Sequence, residues 1–283
     1  MRSKYSVALL LLLTVFIYSC KKSDSNQNII PVENITFTNV KVSGTVIDGI
    51  GNPVQNAAVK FGTISLTTDI SGHFETESLI ASNKYPTVRV EKNGYFKNSR
   101  SFKQQSGINY VKIQLMPKGT PAVVNGSVGG NITAASGLLK LAFPVDAFVD
   151  DAGALYNGTV NVYTSYICPD SAAFRNQMPG WLMGRDSSGN VSVLRSFGMA
   201  NIEIESASGG HLKINPGKKV GFTLPVLASQ QADATATIPM WYWNDTTGIW
   251  IKEGTATKVG NNYTGEVAHF STWNFDSPIH PFC

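Results

Sequence analysis

Short runs in which apolar and polar side chains alternate are the feature that most limits how this chain can fold. From Val40 onward, Gly, Asn, Asp or Pro breaks these runs roughly every eight to twelve residues, as in VKVSGTVID, AAVKFG, TVRVEK and NYVKIQLMP. Alternation with a period of two is typical of half-buried strands in antiparallel sheets. A helical turn is predicted only in DSAAFRNQMPG, where Pro179 and Gly180 end it. The sequence therefore predicts an all-β protein.

The N-terminus has the pattern of a secretory signal. A basic start precedes the apolar run Val7–Tyr18, which is too short to span a bilayer as a helix. The run ends in Ile17-Tyr18-Ser19-Cys20, which resembles a bacterial lipobox. This resemblance implies a signal peptide of residues 1–19 and acylation of Cys20, and the alternatives are ordinary cleavage or an uncleaved anchor. Residues 20–38 are then the lipidated Cys and a flexible polar tether.

Length and charge bound the size and the partners of the mature chain. Removing residues 1–19 leaves 264 residues (283 − 19), enough for two domains with cores of their own. It removes two of the 23 basic residues and none of the 19 acidic ones, so the mature charge is 21 − 19 = +2. A nearly neutral chain without a basic stripe is not expected to bind nucleic acid.

The chain has three cysteines, of which lipidation would use Cys20. Cys168 and Cys283 are then an even pair in an oxidising compartment, where they can form a disulfide. Two separate thiols are the alternative, because the sequence does not set the distance between their Cα atoms.

Residues 39–117 carry a series of turn motifs. The stretch VSGTVIDGIGNPVQNAAVKFG places Gly, Asn and Pro at a first turn, and TTDISGHFE and VRVEKNGYF contain two more. The series resembles the carboxypeptidase regulatory-like domain, which implies a small transthyretin-like Greek-key sandwich. In relatives this module is not catalytic and packs against or presents other domains. None of the four His is followed three residues later by Glu, so the zinc-binding pair of the peptidase itself is missing.

The second half of the chain begins after a Gly/Pro-rich stretch, residues 118–130, that is predicted to be a linker. Residues 131–283 contain the landmarks FGM, PGK…LP, WYWNDTTGIW and HFSTWN. They resemble the β-rich extracellular region shared by cartilage intermediate layer proteins and many Gram-negative surface lipoproteins, which implies a second β-domain. That region is distantly similar to the β-domain of ankyrins and netrin receptors.

The triplet His269-Phe270-Ser271 near the end of the chain has two interpretations. In some proteins of the ankyrin and netrin-receptor type, such a triplet is cleaved between Phe and Ser. The resemblance implies that the Ser271 hydroxyl attacks the Phe270 carbonyl with His269 as base, a reaction that needs a strained peptide bond. Residues 267–275 contain no Gly or Pro and are instead predicted to be one continuous strand, in which His269 and Ser271 only form hydrogen bonds.

Three tryptophans flank the turn in WYWNDTTGIW. Trp241 and Trp243 share one face of a predicted strand, and Trp250 returns on the opposite strand. Flat indoles suit pyranose rings, so one hypothesis is an exposed glycan-binding platform. The alternative is the core of a sandwich, where each indole buries a large apolar area.

Other candidates for chemistry have simpler explanations. Asp146, Asp150 and Asp151 do not have the spacing of an EF-hand loop, and DDAG is typical of a hairpin turn. The sequence has no Gly-x-Ser-x-Gly elbow, and Gly129-Gly130 lies between strands rather than before a helix. The sequence therefore predicts no metal site, no cofactor and no catalytic site.

These patterns together predict two consecutive β-sandwich domains in a lipoprotein held by Cys20 on a Gram-negative envelope membrane, with the outer membrane expected. The expected role is non-catalytic binding or presentation of a protein or glycan partner at the cell surface. One alternative is a self-processing domain cleaved between Phe270 and Ser271. The other is a glycan-binding accessory protein that uses Trp241, Trp243 and Trp250.

Overall fold

Strands dominate the computed structural model, which describes residues 37–82, 86–105 and 107–279. The all-β prediction is confirmed, and the several sheets have the layered arrangement of β-sandwiches. The first eight strands are β1 (Phe37–Ile47), β2 (Ala58–Phe61), β3 (Ile64–Thr67), β4 (His73–Glu75), β5 (Leu79–Ser82), β6 (Thr87–Glu91), β7 (Asn98–Ser101) and β8 (Ile108–Gln114).

The remaining strands belong to the second half of the chain. They are β9 (Ala122–Asn125), β10 (Gly130–Ala134), β11 (Leu139–Phe143), β12 (Phe148–Val149), β13 (Thr159–Ile167), β14 (Met183–Arg185), β15 (Val191–Ser206), β16 (Lys213–Ile214), β17 (Val220–Pro225), β18 (Thr237–Asn244), β19 (Ile249–Val259), β20 (Asn262–Val267) and β21 (Thr272–Ile279).

Helical structure is limited to short pieces. The α-helical turn α1 (Phe174–Gln177) lies in the stretch where the sequence predicts one, ahead of Pro179 and Gly180. Two 3₁₀ helices occupy Ala135–Gly137 and Ala228–Asp233. Within the described ranges, no helix is long and apolar enough to cross a membrane.

The first half packs two four-stranded sheets against each other. One has the order β4-β1-β5 with β8 also beside β1, and the other has the order β3-β2-β6-β7. The pairing of β1 with β8 is parallel, whereas hairpin neighbours such as β2 and β3 are antiparallel. Because β1 and β8 lie at opposite ends of this segment, no tight turn imposes an antiparallel direction on them. Alternate residues fill the space between the sheets, among them Val42, Val59, Phe74, Val88, Val90 and Ile113.

The second half folds most of its strands into one continuous sheet. The order is β10-β11-β17-β20-β19-β18-β21-β15-β13-β9, and β14 pairs with β15 and β19. The outermost strands β9 and β10 are linked by a bridge between Asn125 and Gly129, so the sheet curls around a shared core. Large buried side chains of this core include Phe148, Phe222, Tyr263, Trp273 and Phe275.

The predicted linker, residues 118–130, is too broad. Ala122–Asn125 forms β9, which pairs with β13 of the second half, and β10 begins at Gly130. Two glycines of this segment allow close backbone approach: a Cβ at Gly126 would lie 2.4 Å from the Tyr156 carbonyl oxygen, and one at Gly129 would lie 2.3 Å from the Phe143 carbonyl oxygen. Only residues 118–121 remain as a connection between the two sets of strands.

Strand β7 joins the two halves of the chain. The Gly180 amide donates to the Ser99 carbonyl at 2.9 Å, which extends the edge of the first half's sheet by one hydrogen bond. The Asn98 side chain donates to the Gln177 carbonyl at 3.0 Å, and the Arg100 guanidinium donates to the Gly180 carbonyl at 3.1 Å. Side chains of β7 thus satisfy one backbone carbonyl at the end of α1 and one just after it, which orients the two halves relative to each other.

A cluster of tryptophans lies directly beneath this joint. Trp241, Trp243 and Trp250 are 1%, 5% and 0% exposed and pack with Met178 and Leu194. The rings of Trp243 and Trp250 meet edge to face, with centroids 5.5 Å apart. Aromatic pairs of this kind add about 0.5–1.5 kcal/mol to the effect of burying their area.

Two glycines allow the chain to pass directly over these indoles. A Cβ at Gly180 would lie 1.9 Å from the Trp243 ring, and a Cβ at Gly184 would lie 2.6 Å from the Trp241 ring. Gly180 also has φ of 59°, a left-handed conformation that favours glycine. The joint between the halves and the tryptophan cluster are therefore one packing unit.

Replacing Gly184 by Ala should lower the free energy of unfolding by about 1–3 kcal/mol, because a rigid, buried indole must move to admit the methyl group. Chemical denaturation followed by tryptophan fluorescence measures this change. Gly49→Ala is the matched control, since its Cβ would make only ordinary contacts at 3.4 Å or more. Equal stabilities of the two variants would contradict the close-packing argument.

A carboxyl group is buried on β21, on the face opposite to that of the core residues Trp273 and Phe275. Asp276 is fully buried, and burial raises the pKa of its carboxyl group well above the usual range. Asn274 donates a hydrogen bond to Asp276 Oδ2 and accepts one from Ser196 Oγ at 2.7 Å. The raised pKa means that the folded state holds a proton that the unfolded chain releases above about pH 3.9.

The free energy of unfolding should therefore fall as the pH rises above about 4. The neutral carboxyl group gives its full stabilisation below the pKa that Asp276 has in the unfolded chain. This stabilisation is lost as the pH approaches the higher pKa of Asp276 in the folded protein. Asp276→Asn removes this titration and keeps a neutral group of similar shape. Denaturation at about pH 4, 6 and 8 should show the variant gaining stability over the wild type as pH increases. Parallel pH profiles for the two proteins would contradict this account.

Candidate binding cleft

A cleft of about 560 Å³ opens where the second half faces the first, within the usual size range of ligand sites, about 300–1,000 Å³. Its floor is the segment Asn201–Ile204 of β15. One wall is His211–Ile214, the other is Ala268–Thr272, and Lys97 of the first half closes one side.

The floor exists because β15 continues to Ser206, beyond the last residue that pairs with β21. The two strands are paired as far as Asn201 and Thr272, where the Thr272 hydroxyl donates to Asn201 Oδ1 at 2.6 Å. Beyond this point the Ile202 amide donates to the Ser271 carbonyl at 3.4 Å, and the Leu212 amide then donates to the Ile204 carbonyl at 3.1 Å. Two different segments thus cover the same strand edge, and the cleft lies between them.

The triplet His269-Phe270-Ser271 forms part of the cleft wall. The prediction of a continuous strand through it is wrong, because β20 ends at Val267 and β21 begins at Thr272. In the sheet order, β19 and β18 lie between β20 and β21. The connection must cross both strands, so it cannot continue the pairing of β20.

His269 is held by the strands that the connection crosses. Its ring meets Tyr242 of β18 edge to face, with centroids 4.7 Å apart, and its Nε2 lies 3.4 Å from a carboxylate oxygen of Glu253 on β19. The Trp273 indole donates to the His269 carbonyl at 3.1 Å. These contacts orient the imidazole towards Glu253. The Ser271 hydroxyl has a different partner, the Thr272 carbonyl.

Ser271 and Phe270 have structural contacts as well. The Ser271 hydroxyl donates to the Thr272 carbonyl at 3.1 Å, and the Phe270 ring packs edge to face on Phe143, with centroids 6.0 Å apart. Residues 268–271 contain neither a cis peptide bond nor a positive φ. The geometry therefore lacks both the base–nucleophile hydrogen bond and the backbone strain that the acyl shift needs.

Charged groups around the cleft are arranged in pairs. Lys97 lies 2.9 Å from Asp245, and Lys213 lies 2.9 Å from Asp151. Burial lowers the pKa of Lys97, but the charge and hydrogen bond of Asp245, together with the charges of Glu203 and Glu91, outweigh this effect and leave that pKa above its ordinary value. The charged rim is thus close to electrically balanced, and it surrounds a mainly apolar floor.

The three tryptophans do not form a binding platform. The hypothesis of an exposed glycan platform is wrong, because Trp241, Trp243 and Trp250 are buried in the cluster beneath the joint. The indole N–H groups of Trp243 and Trp241 donate to Asp245 Oδ1 at 2.7 Å and to the Asp276 carbonyl at 3.1 Å. Strand alternation predicts that two indoles share one face of β18, but it does not predict whether other residues bury that face.

The aspartates of VDAFVDDAG have separate roles. Asp150 accepts the Ala154 amide at 2.9 Å in a turn, and Asp151 pairs with Lys213 on the surface. Attraction and hydrogen bonds from Lys213 and His211 lower the pKa of Asp151. The Asp146 carbonyl accepts from Asn215 at 2.9 Å. In the part of the chain that the structure describes, no group of three or more His, Cys, Asp or Glu could hold a metal ion.

Two of the predicted cysteine roles fall outside the described residues. Cys20 and Cys283 both lie there, so lipidation and the pairing with Cys168 stay predictions. Cys168 itself is half-buried just after β13.

Several cleft residues carry no signal in the sequence. Lys97, Asn201, Glu203 and Leu212 come from segments far apart in the chain, and each has the composition of an ordinary strand or turn. Only the GG-H-L-K-I run at residues 209–214, a turn followed by alternation, indicates a hairpin there. The cleft residues lie close together because of the order of strands in the sheet, and the alternation of apolar and polar residues does not determine that order.

Comparisons with known proteins give distant likenesses. No family model matches the chain. Human cartilage intermediate layer protein 2 is 23% identical over 224 residues, which cover 75% of this chain and 19% of that protein. The mouse protein of the same name is 24% identical over 220 residues, covering 74% and 19%. The chain thus spans about a fifth of the length of the curated relatives it matches.

The match of 224 residues exceeds the 153 residues of the predicted second domain (283 − 130), so the likeness extends into the first half. Among solved structures, a Bacteroides fragilis protein described as membrane-associated is 10% identical, with a TM-score of 0.26 over 86% of this chain and 99% of its own. A candidate carbohydrate-binding protein of Bacteroides uniformis is 11% identical, with a TM-score of 0.23 over 82% and 98%. TM-scores this low do not establish a shared fold.

The purified chain should give a single uncut mass under denaturing conditions, with and without reductant, because neither His269 nor Ser271 is positioned for the acyl shift. Intact mass spectrometry of a Cys20→Ser variant checks this without the lipid. Reductant is needed because a Cys168–Cys283 disulfide would retain the released piece. A species ending at Phe270 that is absent from Ser271→Ala would show that the bond is cut.

Proposed function

We propose that this chain is a non-catalytic binding or presentation module of the Gram-negative cell surface, anchored by lipid at Cys20. Its binding site is the cleft between His211–Ile214 and Ala268–Thr272, and its partner is a protein or a glycan. The carboxypeptidase regulatory-like resemblance of the first half belongs to the same proposal, since such modules present other domains.

The observation that carries the proposal is the construction of the cleft itself. Two chain segments that could have paired with β15 stop short of each other and leave a concave site over Ile202 and Ile204. The mouth carries a few polar side chains, and the floor is apolar, which is the usual composition of a recognition site. Binding residues held between rigid strands need no further ordering when a partner arrives.

A non-catalytic role is supported by the chemistry of the same residues. The Ser271 hydroxyl is engaged by the Thr272 carbonyl, and His269 faces Glu253. An activated nucleophile would instead have its base within hydrogen-bond reach. The charged groups at the rim are in ion pairs, as expected for a site that recognises rather than reacts.

The anchor follows from the lipobox resemblance at Cys20. Each buried CH₂ of an acyl chain contributes about 0.8 kcal/mol, so several chains hold a protein on the membrane essentially permanently. The wild-type chain should therefore sediment with membranes, and Cys20→Ser should move to the soluble fraction. Sedimentation of both with the membranes would contradict the lipid anchor.

The cleft is tested by a diazirine side chain placed at Ala268, which is exposed at its wall. After illumination of intact native cells, this position should form a covalent adduct with the partner, visible by mass spectrometry. Ala236 is the control position, because it is exposed and lines no part of the cleft. Diazirines insert into C–H and O–H bonds, so either kind of partner is captured.

A second variant shows whether the adduct depends on the cleft. His211→Trp should fill the space and abolish the adduct at Ala268, while leaving the core intact because the His211 side chain is 63% exposed. Equal labelling at Ala236 and Ala268, or an adduct that survives His211→Trp, would overturn the cleft as the binding site.

A further inference from the structure

A second cleft adjoins the first across the joint between the halves. Its volume is about 530 Å³, and Asn56, Ala58 and the hairpin residues 91–95 of the first half line it. Lys97 and Glu203 line both clefts, one from each half of the chain. The two clefts are therefore neighbouring compartments of one groove, named here the junction groove.

Lys97 and Glu203, which line both compartments, form the partition between them. The Lys97 side chain is 57% exposed and the Glu203 side chain is 31% exposed, so both reach into solvent. A ligand in one compartment can continue over this partition into the other. The groove therefore suits an extended chain rather than a compact small molecule.

The electrostatics of the junction groove disfavour a charged polymer. Lys118 lies 2.7 Å from Glu203 and 2.6 Å from Glu205, and Lys97 is paired with Asp245. An anionic chain would have to displace carboxylates from Lys97 and Lys118, and a cationic chain would have to displace these two lysines. Lys92, which also lines the groove, donates to the Asn56 carbonyl at 3.3 Å. A neutral chain of hydroxyl groups can instead accept from the ammonium groups and donate to the carboxylates while the pairs stay in place.

Aromatic rings lie in both compartments. Tyr95 lines one of them, His269 and Phe270 line the other, and all three are half-buried. Rings held by packing on one side present a flat, partly apolar surface to a ligand at low entropic cost. Polar groups alternating with such surfaces match a chain of sugar rings, which have apolar faces and polar edges.

An extended peptide fits the groove less well. Peptides that lie in sheet grooves commonly add a strand to a free sheet edge through backbone hydrogen bonds. Here the Ile202 amide already donates to Ser271, and the Ile204 carbonyl already accepts from Leu212. The chain's own segments occupy the edge that a peptide would use.

We propose that the junction groove binds a neutral, linear oligosaccharide that spans both compartments. This inference rests on the proposed function and names the partner of the same site. Glycan recognition then takes place in a groove built from several distant segments of the chain, and the buried tryptophans have no part in it.

The test uses the full chain carrying Cys20→Ser and calorimetric titration with neutral hexasaccharides of β-glucan, α-glucan, mannan and xylan, their disaccharides, and a hexamer of galacturonic acid. At least one neutral hexasaccharide should bind about tenfold or more tightly than its own disaccharide, because the longer chain gains contacts in the second compartment. The acidic hexamer should bind more weakly than that neutral one.

Two variants place a longer, uncharged side chain in each compartment. Ala58→Met and Ala268→Met are both at exposed positions of the groove, and Ala236→Met is the exposed control outside it. Each groove variant should weaken hexasaccharide binding about tenfold, and Ala236→Met should leave it unchanged. Absence of binding across the panel, equal affinity for hexamer and dimer, or preference for the acidic hexamer would overturn the inference.

The diazirine labelling and the oligosaccharide titration together show whether the glycan, the binding cleft or both are wrong. If the diazirine at Ala268 captures a protein in cells and no oligosaccharide binds, the glycan is wrong and the binding cleft stands. If Ala268 captures nothing and no oligosaccharide binds, both proposals fail.

Discussion

The contact between tryptophan rings and glycine backbone is the interaction on which the rest of this structure depends. Trp243 fits against Gly180, and Gly180 is also the residue whose amide bonds to Ser99 of the first half. The same few atoms therefore close a satellite core and dock one half on the other. Because the indoles are almost fully buried, a side chain at Gly180 would disturb both at once.

The junction groove is a consequence of that docking. Lys97 lies just before β7, the strand that is fixed on Gly180, and it reaches Asp245 in the turn that follows the tryptophans. The opposite rim comes from the short crossing between β20 and β21, which Tyr242 and Glu253 hold through His269. A site assembled from such rigid parts recognises a shape, whereas the hydroxyl and imidazole within it are already occupied by structural contacts.

Much of the fold could be predicted from the sequence because strand alternation and turn residues are local properties. The helical turn ahead of Pro179 and the all-β class were predicted correctly. Sheet order is not local: β1 pairs with β8 in parallel across the whole first half, and Ala122–Asn125 joins the sheet from within an apparent linker. The prediction of a continuous strand through His269 was wrong for this reason. The residues have the pattern of a strand, but β20 and β21 are not neighbours in the sheet, so the chain between them must cross β19 and β18.

The sequence by itself determined the all-β class, the positions of most turns and the low net charge of the chain, +4. Strand alternation and turn residues act over a few neighbouring positions, and net charge does not depend on where the residues lie in the fold. Tertiary structure alone decided which face of WYW is buried, that the His269 imidazole faces Glu253 rather than Ser271, and that Lys97 and Glu203 line the same groove. Each of these depends on which strands become neighbours, and neighbours in a sheet are chosen by the packing of the whole core rather than by any one segment.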